Sequence, residues 1–268
     1  MPARLPERIV CLTEETTETL YLLGEERRIV GVSGYTVRPP QARREKPRVS
    51  AFLSAKNEKI LELKPDLVIG FSDLQADIAR DLAKAGLSVL LFNQRSVQEI
   101  LDMILALACL VGAADRGAQL VARLESNLDS IREAARTLPG KPRVYFEEWD
   151  EPMISGIRWV SELVEIAGGE DVFREKSISQ AATGRIVTVD EVLERQPEVI
   201  IASWCGKKFR PERVAARPGW QDIPAVREKR LYEIKSSEIL QPGPAALTDG
   251  VRRMQEILRV AAGASAPR

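Results

Sequence analysis

Two stretches of this chain, 132 residues apart, read alike, and that repeat narrows the possible folds more than any other feature. Glu58-Lys-Ile-Leu-Glu-Leu-Lys-Pro-Asp-Leu-Val-Ile69 stands beside Asp190-Glu-Val-Leu-Glu-Arg-Gln-Pro-Glu-Val-Ile-Ile201. Each carries an acid, an apolar helical pair, a proline that disfavours helix just before it, a second acid and an apolar run. Helix, proline, acid and strand form a common α/β turn, so a single copy would mean little. The surroundings repeat as well. Arg8-Ile9-Val10 and Arg143-Val144-Tyr145 each precede a Glu-rich loop and a helix ending near glycine, at Gly24 and at Gly168-Gly169. Elements paired in the same order predict two similar lobes.

Strand and helix signals alternate within each half. Arg8–Leu12, Ile29–Val32, Leu67–Ile69 and Leu87–Phe92 read as strands, and Thr16–Leu23, Asn57–Leu63 and Asp73–Ala85 as helices between them. From Ser96 to about Thr137 no strand signal occurs. Apolar stripes run through Val97, Ile100, Leu101, Ile104, Leu105 and Ala108, and then through Leu120, Leu124, Leu128 and Ile131, with Gly112 between them. The strand pattern resumes at Arg143–Phe146, Val199–Ala202 and Arg230–Ile234, before a helix over about Leu247–Val260. The expected organisation is an N-terminal α/β lobe over residues 1–94, a helical connector over 95–138 and a C-terminal α/β lobe over 139–268. Two such lobes enclose a cleft, where ligands tend to bind.

Composition removes several kinds of function. The chain has no histidine, which excludes histidine acid–base catalysis, Ser-His-Asp hydrolysis, HExxH zinc chemistry and axial histidine on haem. Lysine plus arginine equals aspartate plus glutamate, 39 against 39, so there is no basic excess for a nucleic acid. Cys11, Cys109 and Cys205 are scattered and make no CxxC pair, which fits a reducing compartment slightly better. No 18-residue apolar window predicts a membrane span. The first apolar run, Ile9–Leu12, is too short for a signal-peptide core. The expectation is a cytoplasmic protein, or one numbered after removal of an export signal. There is no GxGxxG or GxxxxGK[ST] element, so nucleotide chemistry has no support.

In parallel α/β lobes the loops after the strands line the cleft. Aromatics make up only 5% of the chain, yet Tyr35, Phe52, Phe71, Trp149, Trp159 and Trp204 fall in or beside those loops. Each either packs on its own lobe or offers rigid contact area to a large ligand. Thr13–Glu18 reads as a helix-capping stretch or as a polar contact at a helix start. Glu147 and Glu148 either accept hydrogen bonds from ligand amides or cap a helix. Cys205, with Lys207, Lys208 and Arg210 after it, is either a buried small residue with a solvated charge run or a contact for an anion or soft metal. Glu58 and Asp190, at equivalent places in the repeat, are helix-start acids or a two-point electrostatic address for a partner.

Several stretches together resemble the substrate-binding proteins of vitamin B12 importers. They are Arg8–Glu18 onward to Leu23-Gly24, Ile29–Ser33, Pro39–Ala42, Leu63–Ile69, Ser155-Gly156, Ala167–Phe173, Pro218–Trp220 and Ile223–Val226. The likeness runs over about residues 6–262 and belongs to a helical-backbone class that also takes ferric siderophores, haem and some metals. It implies two Rossmann-like lobes joined by a long rigid helical connector, no catalysis, a ligand gripped in the cleft, and work outside the cytoplasmic membrane.

The resemblance also implies roles for residues. Tyr35, Phe52 and Phe71 fall where the B12-binding member clamps the corrin ring, and Met153 and Phe146 fall at its second-lobe phenylalanines. Gly184 stands where that member has a tryptophan, and Trp149 or Trp204 can compensate. The implied ligand contacts are Tyr35, Phe52, Phe71, Glu148, Trp149, Met153 and Trp204, with no metal ligand and no catalytic cofactor. Glu58 and Asp190 match the acids that dock on the arginines of an ABC permease dimer, and the binding protein itself is expected as a monomer. Cobalamin or another corrinoid is the expected ligand. The alternatives are haem with Tyr35 as axial oxygen, or a ferric siderophore held by Arg38, Arg158 and Arg185. A cytoplasmic corrinoid carrier, or a cofactor-processing enzyme using Cys205, is a further alternative.

Overall fold

The computed structural model describes residues 5–263. The chain divides into two compact units. The first takes the chain up to Gln94 together with Gln98–Arg123, and the second takes Arg95–Val97 and the chain from Leu124 onward.

The first unit is built on strands β1 (Ile9–Cys11), β2 (Ile29–Ser33), β3 (Arg48–Ser50), β4 (Leu67–Phe71) and β5 (Val89–Phe92). All neighbours pair in parallel, in the order β3-β2-β1-β4-β5. Parallel pairing needs a crossover after each strand. These are helices α1 (Glu14–Leu22), α2 (Pro40–Glu45), α3 (Asn57–Glu62) and α4 (Ala76–Lys84). Ile9, Val10 and Cys11 are fully buried, as expected of a central strand with both faces covered. Val10, Leu12, Val49, Ile60, Val68, Ile78 and Leu82 make one apolar cluster of this unit.

Two helices follow, α5 (Val97–Leu110) and α6 (Ala114–Ala135). Gly112, at φ +73°, separates them where the sequence has its break. The stretch expected as a connector is shared: nearly all of α5 and the start of α6 belong to the first unit, and the rest of α6 to the second. At Gly117 a Cβ would stand 2.4 Å from that of Ala108, so α5 and α6 approach too closely there for any side chain.

The second unit has strands β6 (Arg143–Asp150), β7 (Met153–Ser155), β8 (Glu170–Asp171), β9 (Val199–Ala202) and β10 (Leu231–Glu233). The order is β10-β9-β6-β7, with β8 also on β6. The β6–β7 pair is antiparallel and the others are parallel. This corrects the sequence reading at one place: Glu147, Glu148 and Trp149 continue β6 into a hairpin with Met153 and are not in a loop. Helices α7 (Arg158–Ile166), α8 (Arg174–Ser177) and α9 (Val189–Arg195) cover the sheet, and Val251–Ala261 closes the described chain. The core includes Tyr145, Phe173, Trp204, Phe209 and Trp220. Two α/β lobes linked by helices is therefore the architecture. Among the described residues no helix is long and apolar enough to cross a membrane.

Candidate functional site

In the first lobe the strand ends carry buried polar groups, and the loops after neighbouring strands carry exposed apolar ones. β1 runs directly into α1 through Thr13, whose extended backbone suits an N-cap. Its hydroxyl does not cap the helix. It donates instead to Glu15 Oε1 at 2.6 Å. Glu14 is 4% exposed and its Oε2 accepts from the Val37 N–H at 2.9 Å. Burial pushes its carboxyl up to about 8, against the Val37 hydrogen bond and with help from Glu18 and Glu15. Glu15 is 1% exposed, and burial lifts it to about 7 against the pull of Thr13. Glu18, one turn on, accepts from Arg38 Nε at 3.0 Å.

Tyr35 follows β2 and is 59% exposed, while Phe52 is half-buried in the loop after β3, beside exposed Leu53. Fully buried Gln75 fixes that loop: its amide donates to the Phe52 carbonyl and its oxygen accepts from the Phe71 N–H, both at 2.9 Å. Leu74, in the turn after β4, is exposed. Phe71 closes β4 and is only 5% exposed, so most of its ring lies against protein. Strand order places these loops on neighbouring strands at one end of the sheet.

In the second lobe β6 presents three acids, each clamped by a cation. Glu147 is fully buried and takes Arg217 in a two-pronged pair at 2.5 and 3.0 Å, with Tyr145 Oη at 3.0 Å and Trp204 Nε1 at 3.1 Å. Burial opposes the charge on Arg217, yet Glu147 more than offsets it and holds the guanidinium above its ordinary range. Glu148 pairs with Arg185 at 2.5 and 3.2 Å, and Arg185 is itself 2% exposed. Asp150 holds Lys207 at 2.5 Å, and the ammonium lies over the rings of Trp149 and Trp204. Glu147 and Glu148 are thus neither helix caps nor free acceptors.

Trp149 and Met153 are half-buried on the β6–β7 hairpin, packed on the edge of the core. Trp204 is buried, edge-to-face on Phe209 with ring centroids 5.2 Å apart. Trp159 packs as well, its indole N–H donating to the Ile239 carbonyl. Cys205 is exposed. Glu58 and Asp190 both sit exposed in the first turn of α3 and α9. Sequence reasoning missed Arg217, and it missed the roles of Lys207 and Arg185 in holding Asp150 and Glu148. The available signal was four acids in Glu147–Glu151 on or beside an otherwise apolar strand, which burial alone would not tolerate.

The family model described as periplasmic binding protein matches residues 9–238. The chain belongs to this family. Against the vitamin B12-binding protein of Vibrio cholerae, this periplasmic binding protein is 28% identical over 266 residues, covering 95% of the chain and 90% of the relative. Against the crystal structure of the periplasmic vitamin B12 binding protein BtuF of Vibrio cholerae it has a TM-score of 0.75 at 25% identity, over 96% of this chain and 98% of that one. The apo periplasmic haem-binding protein RhuT from Roseiflexus sp. RS-1 gives a TM-score of 0.78 at 25% identity, over 94% and 98%. Among the described residues no group of three or more Cys, Asp or Glu could hold a metal. The protein is thus a ligand-binding protein of this family, homologous to vitamin B12-binding and haem-binding periplasmic proteins.

Proposed function

We propose that the protein binds cobalamin or another corrinoid through the strand-end loops of its lobes and hands it to an ABC permease outside the cytoplasmic membrane. The observation that carries this choice is the state of the arginines. Arg38, Arg158 and Arg185, the three expected to meet an anionic ligand, are held by Glu18, Glu162 and Glu148. Haem propionates and anionic siderophores call for unspent cations. A corrinoid brings its own metal and asks mainly for shape, apolar area and amide hydrogen bonds. Tyr35, Phe52, Trp149 and Met153 supply the contact area in this reading. Phe71 and Trp204, buried, support the loops from beneath.

The test is titration of the purified protein with cobalamin, cobinamide, haemin and a ferric hydroxamate siderophore. Saturation near one equivalent by the two corrinoids is expected. A response to haemin alone, with a Tyr35→Phe variant that loses it, would establish the haem reading instead.

Exposed on their helices, Glu58 and Asp190 suit salt-sensitive docking on a basic partner. Reversing both, Glu58→Arg with Asp190→Arg, should cut ligand delivery to membrane vesicles carrying the permease by at least about tenfold, with ligand affinity unchanged. Undiminished delivery would leave both acids as helix-start residues.

A further inference from the structure

Glu14 and Glu15 differ from the acids of β6 in that, among the described residues, no cation pairs with either. They lie just past β1, the central strand of the first lobe, while Thr36 follows β2 and Ser50 ends β3, the next two strands outward. All four side chains are at most 9% exposed. One oxygen of each is buried without a hydrogen-bond partner: Glu14 Oε1, Glu15 Oε2, Thr36 Oγ1 and Ser50 Oγ. The Val37 N–H on Glu14 Oε2 draws the Thr36 loop against the pair. A buried polar atom left unsatisfied is destabilising, so four on three adjoining strands need a reason. Exposed Tyr35, Leu53 and Leu74 stand on the loops around them.

We propose that this polar floor recognises primary amides on the rim of the ligand, with Glu14 and Glu15 as the principal contacts and Thr36 and Ser50 completing the set. The choice of macrocycle rests on the corrinoid reading above; the choice of amide does not. A carboxyl that keeps its proton offers one O–H donor and one C=O acceptor, and a primary amide offers the complementary C=O and N–H. The two close a ring of paired hydrogen bonds. Burial holds Glu14 up to about 8, so at neutral pH it is mostly in that form. A ligand carboxylate at the same place accepts the O–H but has no N–H to donate in return, so the ring of paired hydrogen bonds does not close. The corrin periphery carries primary amides, and its biosynthetic precursors carry carboxylates at the same positions. The site therefore separates amidated from unamidated macrocycles.

The experiment is calorimetric titration at pH 7 with two matched pairs, cobinamide against cobyrinic acid and haemin diamide against haemin. Wild-type protein should bind cobinamide about 100-fold more tightly than cobyrinic acid, the equivalent of two or so lost hydrogen bonds. Glu14→Met with Glu15→Met should weaken cobinamide at least about tenfold and shrink the preference below about tenfold, while Glu14→Gln, which can still pair with an amide, keeps it. Circular dichroism checks that each variant is folded. Equal binding of amide and acid, or an unchanged preference in the double Met variant, overturns the inference and leaves the corrinoid reading intact. If corrinoids fail to bind and haemin diamide binds better than haemin, the corrinoid reading falls and the inference stands. If corrinoids fail to bind, preference for haemin over its diamide, or no binding of any of the four, overturns both.

Discussion

Arg217→Met should destabilise the protein by about 3–5 kcal/mol, the largest single effect expected outside the apolar cores. The variant strands Glu147, which is fully buried and relies on that guanidinium for two of its four hydrogen bonds. Tyr145 and Trp204 can still donate, but neither brings a positive charge. The loss should also loosen the stack of Arg217 on Trp220. Urea denaturation reads the effect directly. Glu147→Gln combined with Arg217→Met should recover much of it, because a neutral amide is left where a bare carboxylate would be. A loss under about 1 kcal/mol in the single variant would mean that the pair does not anchor β6.

Raising the pH from 5 to 9 should weaken the protein by a few kcal/mol, through Glu14 and Glu15. Both are harder to ionise when folded, at about 8 and about 7, than their ordinary value of 4.5. Between those limits the folded state holds more protons than the unfolded one, so stability falls as pH rises. The contribution is complete below about 4.5 and lost above about 8. Groups facing the pair are the Glu18 carboxyl, the Arg38 guanidinium, the Thr13 hydroxyl and the Cys11 thiol, which burial pushes up to about 12 and out of this window. Glu175 and Glu191, held low by Arg195 and Lys176, act below pH 4.5, and Asp171, raised by its burial, adds to the fall with the same sign. Glu14→Gln should flatten the slope by about half or more when melting temperature is followed against pH. An unchanged slope would show that Glu14 ionises freely.

Much of the fold was legible because its signals are local. Leu67–Ile69 and Val199–Ala202 are apolar runs behind a proline and an acid, and both are strands. Gly112 breaks the helical stretch where its stripe breaks. β3 was not legible: Arg48–Ser50 is three residues long, follows Pro47, and becomes a strand only by pairing with β2. The extension of β6 was hidden for a similar reason. Glu147, Glu148 and Asp150 look like loop residues until their partners arrive from 70, 37 and 57 positions away.

The site was legible as a set of loops but not as a set of exposures. Sequence placed Phe71 and Trp204 beside strand ends, and both are mostly covered. Whether an aromatic near a strand end points outward depends on neighbours such as Phe209, which periodicity does not report. Thr13 has the residue type and backbone of a helix cap, yet a carboxylate two residues on captures its hydroxyl. Glu147 and Glu148 on β6 are paired with arginines, whereas Glu14 and Glu15 in the other lobe each keep one buried oxygen without a hydrogen-bond partner.

Isothermal titration of cobinamide into wild-type protein, Phe52→Ala and Trp149→Ala asks whether these two side chains grip a corrinoid. One bound equivalent, with affinity lower by about 10- to 100-fold in each variant, is the predicted result. No saturable heat with the wild type, or full affinity in both variants, would contradict it.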